Sequence, residues 1–91
     1  AYSALIVLGG PQSANSDELW CKKEFEIMET ALRREVPIFG ICLGAQLLAK
    51  VLGARIGPSP EPEFGWLPVK PTAAAAEDPL FFDFQVQRVF Q

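Results

Sequence analysis

Two short apolar runs, each closed by glycine, limit what this chain can fold into. Ala4-Leu5-Ile6-Val7-Leu8 contains no polar residue and stops at Gly9-Gly10-Pro11. A run of that kind, bounded by turn residues, reads as a strand buried on both faces. Pro37-Ile38-Phe39-Gly40-Ile41 is the second run, and it leads directly into Cys42-Leu43-Gly44. Between the two, Glu18 to about Arg34 carries Cys21, Phe25, Met28 and Leu32 at helical spacing, with Trp20, Ile27 and Ala31 widening the stripe. Ser16 or Asp17 is placed to cap this helix. Val36-Pro37 ends it, because the residue before a proline avoids the helical region. Glu24, Glu26 and Glu29 read as a solvated face, and Cys21 as a core residue on the apolar stripe.

Beyond Cys42, Ala45 to Leu52 is rich in helix formers and stops at Gly53, the residue expected just past a helix C-terminus. Ala54-Arg55-Ile56 reads as a brief strand, residues 57–63 as a proline-rich loop, and Phe64 to Val69 as a strand held near an edge by Pro68. Phe64 and Trp66 are expected in the core. Residues 71–79 are turn-like, and Phe84, Val86 and Arg88 alternating with Gln85 and Gln87 suggest a final strand. The order strand, helix, strand, helix, strand predicts an α/β fold: a mostly parallel sheet with helices on both faces. With 91 residues the chain has room for at most one small domain of thin stability.

Composition removes several function classes. A hydrophobic fraction of 49% with 21% charged residues belongs to a globular chain, not a disordered one. The net charge of −3, with no basic stripe, argues against nucleic acid as a partner. No apolar run approaches membrane-spanning length, and the first residues lack the pattern of a secretory leader. The two cysteines, Cys21 and Cys42, stand in no metal-ligand pattern; two free thiols in a cytoplasmic protein are expected, with no metal and no cofactor. The chain contains no histidine, so the commonest general base of nucleophilic catalysis is missing from it.

The chemistry-bearing stretch is Gly40-Ile41-Cys42-Leu43-Gly44-Ala45-Gln46. A nucleophile between two glycines, directly after an apolar strand and directly before a helix, is a nucleophile elbow with Cys in place of Ser. The tight turn demands small flanking residues, and the new helix directs its free N–H groups and positive end at the sulfur. The Leu43 amide is then placed to stabilise an oxyanion. Gly9-Gly10-Pro11 closes the neighbouring strand on the same edge, where ligands of parallel sheets bind. A glycine N–H there is a candidate second donor.

Leu8-Gly9-Gly10-Pro11-Gln12-Ser13, then Gly40 to Gln46, then Glu63-Phe64-Gly65-Trp66 closely resembles, in the same order, the glutaminase domain of class I glutamine amidotransferases, nearest to the GMP synthase-like proteins. The resemblance implies a flavodoxin-like α/β fold and glutamine as substrate. It implies that Cys42 attacks the side-chain amide carbon, that ammonia leaves and that a glutamyl thioester is hydrolysed. Gly10 and Leu43 would form the oxyanion hole. Gln46 would hold the glutamine, and Gly65 would line the pocket near its α-carbon groups. A synthetase domain or subunit would accept the ammonia.

The family completes its triad with a His and a Glu well downstream of the nucleophile, and neither is carried by this chain. Residues 1–91, which open almost directly in a strand without an initiating methionine, are therefore expected to be a central part of such a domain, lacking an N-terminal unit and the C-terminal His/Glu segment. Alone, the chain is expected to be inactive, and to expose sheet edges and apolar surface through which it self-associates. Two other readings stay open: a catalytically incomplete fragment or pseudo-enzyme serving only association, and a related γ-glutamyl hydrolase using the same thioester.

Overall fold

The computed structural model describes residues 2–91. In chain order these form β1 (Leu5–Val7), α1 (Leu19–Arg33), β2 (Ile38–Gly40), α2 (Leu43–Val51), β3 (Trp66–Val69), a short 3-10 helix (Ala73–Glu77) and β4 (Gln87–Phe90). They fall into two compact units, Ala1–Gly57 and Pro58–Gln91. No helix among the described residues is long and apolar enough to cross a membrane.

In the first unit β1 and β2 pair in parallel, with Leu5, Ile6 and Val7 opposite Ile38, Phe39 and Gly40. The ladder is closed at one end by the Leu5 amide donating to the Pro37 carbonyl, and at the other by the Ile41 amide donating to Val7, both at 2.9 Å. Parallel pairing of adjacent strands needs a crossover, and α1 supplies it. Both helices contribute to one core: Ala14, Cys21, Met28, Leu43 and Leu47 cluster there, with Leu5, Val7 and Ile38 packed against them. Along the apolar stripe of α1, Cys21, Met28 and Ala31 are buried, whereas Ile27, expected to widen it, is 48% exposed at the stripe's margin. Ile6 points the other way, as strand alternation requires, and is 63% exposed. The expected burial of β1 on both strand faces is therefore not met at this residue.

The joint between β1 and α2 is unusually close. A Cβ built on Gly44, the second residue of α2, collides with the carbonyl of Val7, the last residue of β1. Only a residue without a side chain lets this helix start where the strand ends.

Both helices stop in the same way. After α1, the Glu35 amide donates to Leu32 and the Val36 amide to Ala31; after α2, the Gly53 amide donates to Lys50 and the Ala54 amide to Ala49. These are Schellman motifs with a left-handed residue at C′. Gly53 sits there at φ +95°, as expected, and Glu35 occupies the matching place at φ +56°. At the start of α1 the expected capping by Ser16 or Asp17 is corrected. Glu18 holds the N-cap position with no side-chain cap, and Ser16 Oγ instead accepts the Glu18 amide at 3.1 Å. Ala54-Arg55-Ile56 is not a strand either. Its Ile56 carbonyl accepts Asn15 Nδ2 at 2.8 Å, so a side chain takes the place of a ladder partner.

In the second unit β3 and β4 pair antiparallel, with Trp66, Leu67, Pro68 and Val69 opposite Phe90, Val89, Arg88 and Gln87. Gly65 and Gln91 exchange two hydrogen bonds at 2.8 Å. Hydrogen-bonded and non-bonded pairs alternate along an antiparallel ladder. Counting from Gly65–Gln91, Pro68–Arg88 is a non-bonded pair, so the missing N–H of Pro68 costs no ladder bond. The four-alanine stretch, read as turn-like, makes a 3-10 helix that stops before Asp78, which is extended ahead of Pro79.

Three substitutions test these joints by denaturant unfolding. Glu35→Gly is expected to raise stability by about 1 kcal/mol, and Gly53→Ala to lower it by a similar amount, because a left-handed residue with a Cβ costs ~1–2 kcal/mol. Gly44→Ala is expected to lower it by at least about 3 kcal/mol, the upper range for overpacking, since the added carbon meets backbone rather than a movable side chain.

Candidate active site at the strand-to-helix elbow

Cys42 stands between β2 and α2 with φ +55° and ψ −113°. A non-glycine residue held in such a sparsely populated region costs about 1–3 kcal/mol and persists only when its neighbours fix it. The neighbours here do so. The Ile41 amide is tied to Val7, the Gly44 amide donates to Ile41 at 2.9 Å, and the Gln46 amide donates to the Cys42 carbonyl at 3.1 Å. Gly40, before the turn, lies so close to the new helix that a Cβ there would sit 2.8 Å from the Ala45 backbone. The glycines on either side of the elbow are thus required by space, which is what the motif demands of them. The thiol of Cys42 is free and exposed, whereas Cys21 is free and buried.

Parallel pairing brings the end of β1 to the same edge. A Cβ on Gly9 would lie 3.0 Å from Cys42 Cβ and 3.6 Å from its Sγ. A Cβ on Gly10 would lie 3.4 Å from Leu43 Cδ2. Gly9 is therefore packed against Cys42, and Gly10 against the residue that follows it. Leu43 is the first residue of α2, at the end of the helix where backbone N–H groups lack partners within the helix. Gln46 lies on α2, exposed. The structure so brings Gly9, Gly10, Cys42 and Leu43 together, with Gln46 following on the same helix.

Gly65 belongs to the second unit, at φ +105°, where its paired hydrogen bonds with Gln91 fix it. The expected core placement of its neighbours is corrected. Phe64 is 84% exposed and Trp66 is 62% exposed. They stand edge-to-face with Phe90, at ring separations of 6.0 and 5.7 Å, on the outward face of the β3–β4 pair. Residue alternation puts Leu67, Val69 and Val89 on the more buried side instead.

Sequence reasoning left Gln12 without a role. Its Oε1 lies 2.8 Å from the position of a Cβ on Gly10, so its carboxamide covers that glycine. Nothing in a polar loop residue signals such a placement. Among the described residues no cluster of three or more His, Cys, Asp or Glu is arranged to hold a metal.

The family model for Glutamine amidotransferase class-I matches residues 1–85. The glutamine amidotransferase-like protein YfeJ of Salmonella typhimurium is 35% identical over 88 residues, which cover 91% of this chain and 37% of that protein. One subunit of the glutamine-hydrolyzing GMP synthase of Ignicoccus hospitalis is 39% identical over 67 residues, covering 70% of this chain and 32% of that polypeptide. The chain thus spans about a third of the length of these relatives. A solved glutamine amidotransferase from Thermotoga maritima superposes with a TM-score of 0.85 at 39% identity, over 99% of this chain and 40% of that one. One from Methylobacillus flagellatus gives 0.80 at 34% identity, over 98% and 36%. With a family match over nearly its whole length and solved members sharing its backbone, the chain belongs to the class I glutamine amidotransferase family.

Proposed function

We propose that Cys42 is the nucleophile of a glutaminase reaction. The observation that carries this reading is the elbow itself: an exposed thiol in a strained turn, flanked by the Gly10 and Leu43 backbone. In this mechanism the Cys42 sulfur adds to the side-chain amide carbon of glutamine. The carbonyl oxygen becomes an oxyanion, stabilised by the amides of Gly10 and Leu43. The C–N bond breaks, the nitrogen leaves as ammonia after taking a proton, and a γ-glutamyl thioester remains. Water then adds to the thioester carbonyl, and glutamate and the free thiol are released. Gln46, on the helix that starts at the nucleophile, holds the substrate.

This chain has no histidine, so the proton transfers require a base from residues beyond these 91. Residues 1–91 then act as part of a longer class I domain. The GMP synthase relative, itself a separate subunit, supports a synthetase partner as ammonia acceptor. The missing histidine also favours a second reading for the chain by itself, an association module without turnover.

Two measurements test the proposal. A diazo-ketone analogue of glutamine is expected to add once, at Cys42 and not at the buried Cys21, and excess glutamine is expected to block it; intact-mass analysis reads both. Labelling that ignores glutamine, or falls on both cysteines, overturns the glutaminase reading. In the protein at its full length, Gln46→Ala is expected to raise KM for glutamine roughly tenfold with little change in kcat, the loss of about one hydrogen bond made equally in ground and transition states.

A further inference from the structure

The loop between β1 and α1 meets helix α2 twice. At its start, Gly9 and Gly10 pack on Cys42 and Leu43, at the N-terminal end of the helix. Farther on, it is held at the opposite end. Lys50 Nζ, in the last turn of α2, donates to the Ala14 carbonyl at 3.1 Å. Asn15 Nδ2 donates at 2.8 Å to the carbonyl of Ile56, just beyond the helix. The Asn15 bond is exposed, but the Lys50 tie is not an incidental surface contact. Ala14 is 1% exposed, Lys50 is half-buried, and the thiol of Cys21 lies 3.8 Å from the same Ala14 oxygen. An ammonium donating to a carbonyl at a partly buried site is a charge-assisted hydrogen bond, stronger than a neutral one. A cavity of about 360 Å³ opens beside the tie, with Ala14, Cys21, Phe25 and Lys50 among its lining residues, so the Lys50 stem forms a wall with open space next to it.

We infer that Lys50 and Asn15 are positioning residues for the oxyanion loop. They tether the segment that follows Gly10 to the same helix whose first residue supplies the other donor. Helix α2 runs nine residues from Leu43 to Val51, about 13 Å at 1.5 Å per residue, and behaves as a rigid ruler. Fixing the loop at both ends of that ruler sets the separation between the Gly10 and Leu43 amides. Without the distal tie, the loop is anchored only through β1 and the Gly10 contact, and Gly9-Gly10 has the freedom of two glycines. This assignment rests on the glutaminase reading for its chemical consequence, while the tie itself is independent of that reading.

The test separates the two. In the protein at its full length, Lys50→Met keeps the aliphatic stem and removes the donor, Lys50→Arg restores a donor, and Asn15→Ala removes the second tie. Amide hydrogen exchange is followed in peptides from residues 9–16 and, as an internal control, from residues 37–41. Exchange in 9–16 is expected to rise about tenfold in Lys50→Met and in Asn15→Ala, with 37–41 unchanged and Lys50→Arg close to the parent. Unchanged exchange in 9–16 overturns the inference, and so does an equal rise in both segments, which makes these residues contributors to global stability only. The chemical consequence is read from two alkylations of Cys42. The glutamine-like diazo-ketone needs the donor pair and is expected to slow about tenfold in Lys50→Met, whereas iodoacetamide needs none and is expected to keep its rate. An unchanged ratio of the two rates overturns the link to the reaction. If the parent protein itself shows no glutamine-blocked labelling, the glutaminase reading fails, and the exchange result still decides the tie.

Discussion

The contact on which the first unit depends is the one between the Gly44 backbone and the Val7 carbonyl. It lets the second residue of a helix rest directly on the last residue of the neighbouring strand. From that distance the rest of the local geometry follows. The chain must turn between Gly40 and Gly44 in very little space, and Cys42 is forced to the positive φ that turns its side chain out of the packed joint. The cost of that conformation, about 1–3 kcal/mol, is offset by what the close approach makes available. It allows the Ile41–Val7 ladder bond, a helix start with Leu43 and Leu47 buried, and contact with Cys21 and Met28 across the core. Strain at Cys42 and packing of the helix are thus two sides of one constraint.

The same constraint explains why the site lies at one end of a very small sheet. Two parallel strands in register end together, so the residues that follow them are neighbours without further design. Gly9 and Gly10 follow one strand, Cys42 and Leu43 the other. What the two strands do not provide is cover for the side of β1 turned away from the Leu5 and Val7 side chains. Ile6 is exposed there, and Leu8 beyond it is 65% exposed. The chain spans about a third of its relatives' length, and the core within these residues rests on few fully buried side chains, Met28 and Leu47 the largest. Small cores of that kind give thin margins.

Much of this was legible in the sequence because it is written in short-range pattern. Uninterrupted apolar runs ending in glycine specified β1 and β2, the spacing of Cys21, Phe25, Met28 and Leu32 specified α1, and a cysteine between glycines specified the elbow. Gly53 announced its helix end, while Glu35 did the same work unannounced, since the hydrogen bonds of a Schellman motif outweigh the mild preference against a left-handed glutamate. The failures have a common cause. Ala54-Arg55-Ile56 has strand-like residues, but the partner its Ile56 carbonyl finds is the side chain of Asn15, forty-one positions away. Phe64 and Trp66 look like core by hydrophobicity alone. Their face of the sheet is set by pairing with β4, which the sequence does not number. The Lys50–Ala14 bond spans thirty-six positions and joins a side chain to a main-chain atom, so no residue pattern marks it.

That contrast between local and distant information bears on how such a site is built. In the proposed mechanism both oxyanion donors are backbone amides, and backbone position is a property of fold rather than of side-chain identity. Glycine is demanded at 40 and 44 because space is demanded there. The side chains then carry what backbone cannot: a thiol at residue 42, a carboxamide at 46, and a base from outside these residues. Gln12 and Lys50 fall between the two classes. Each meets main chain, Gln12 by covering Gly10 and Lys50 by holding Ala14. Differences in rate between proteins with the same elbow are then to be sought in contacts of that second kind, where a side chain sets the position of a backbone amide.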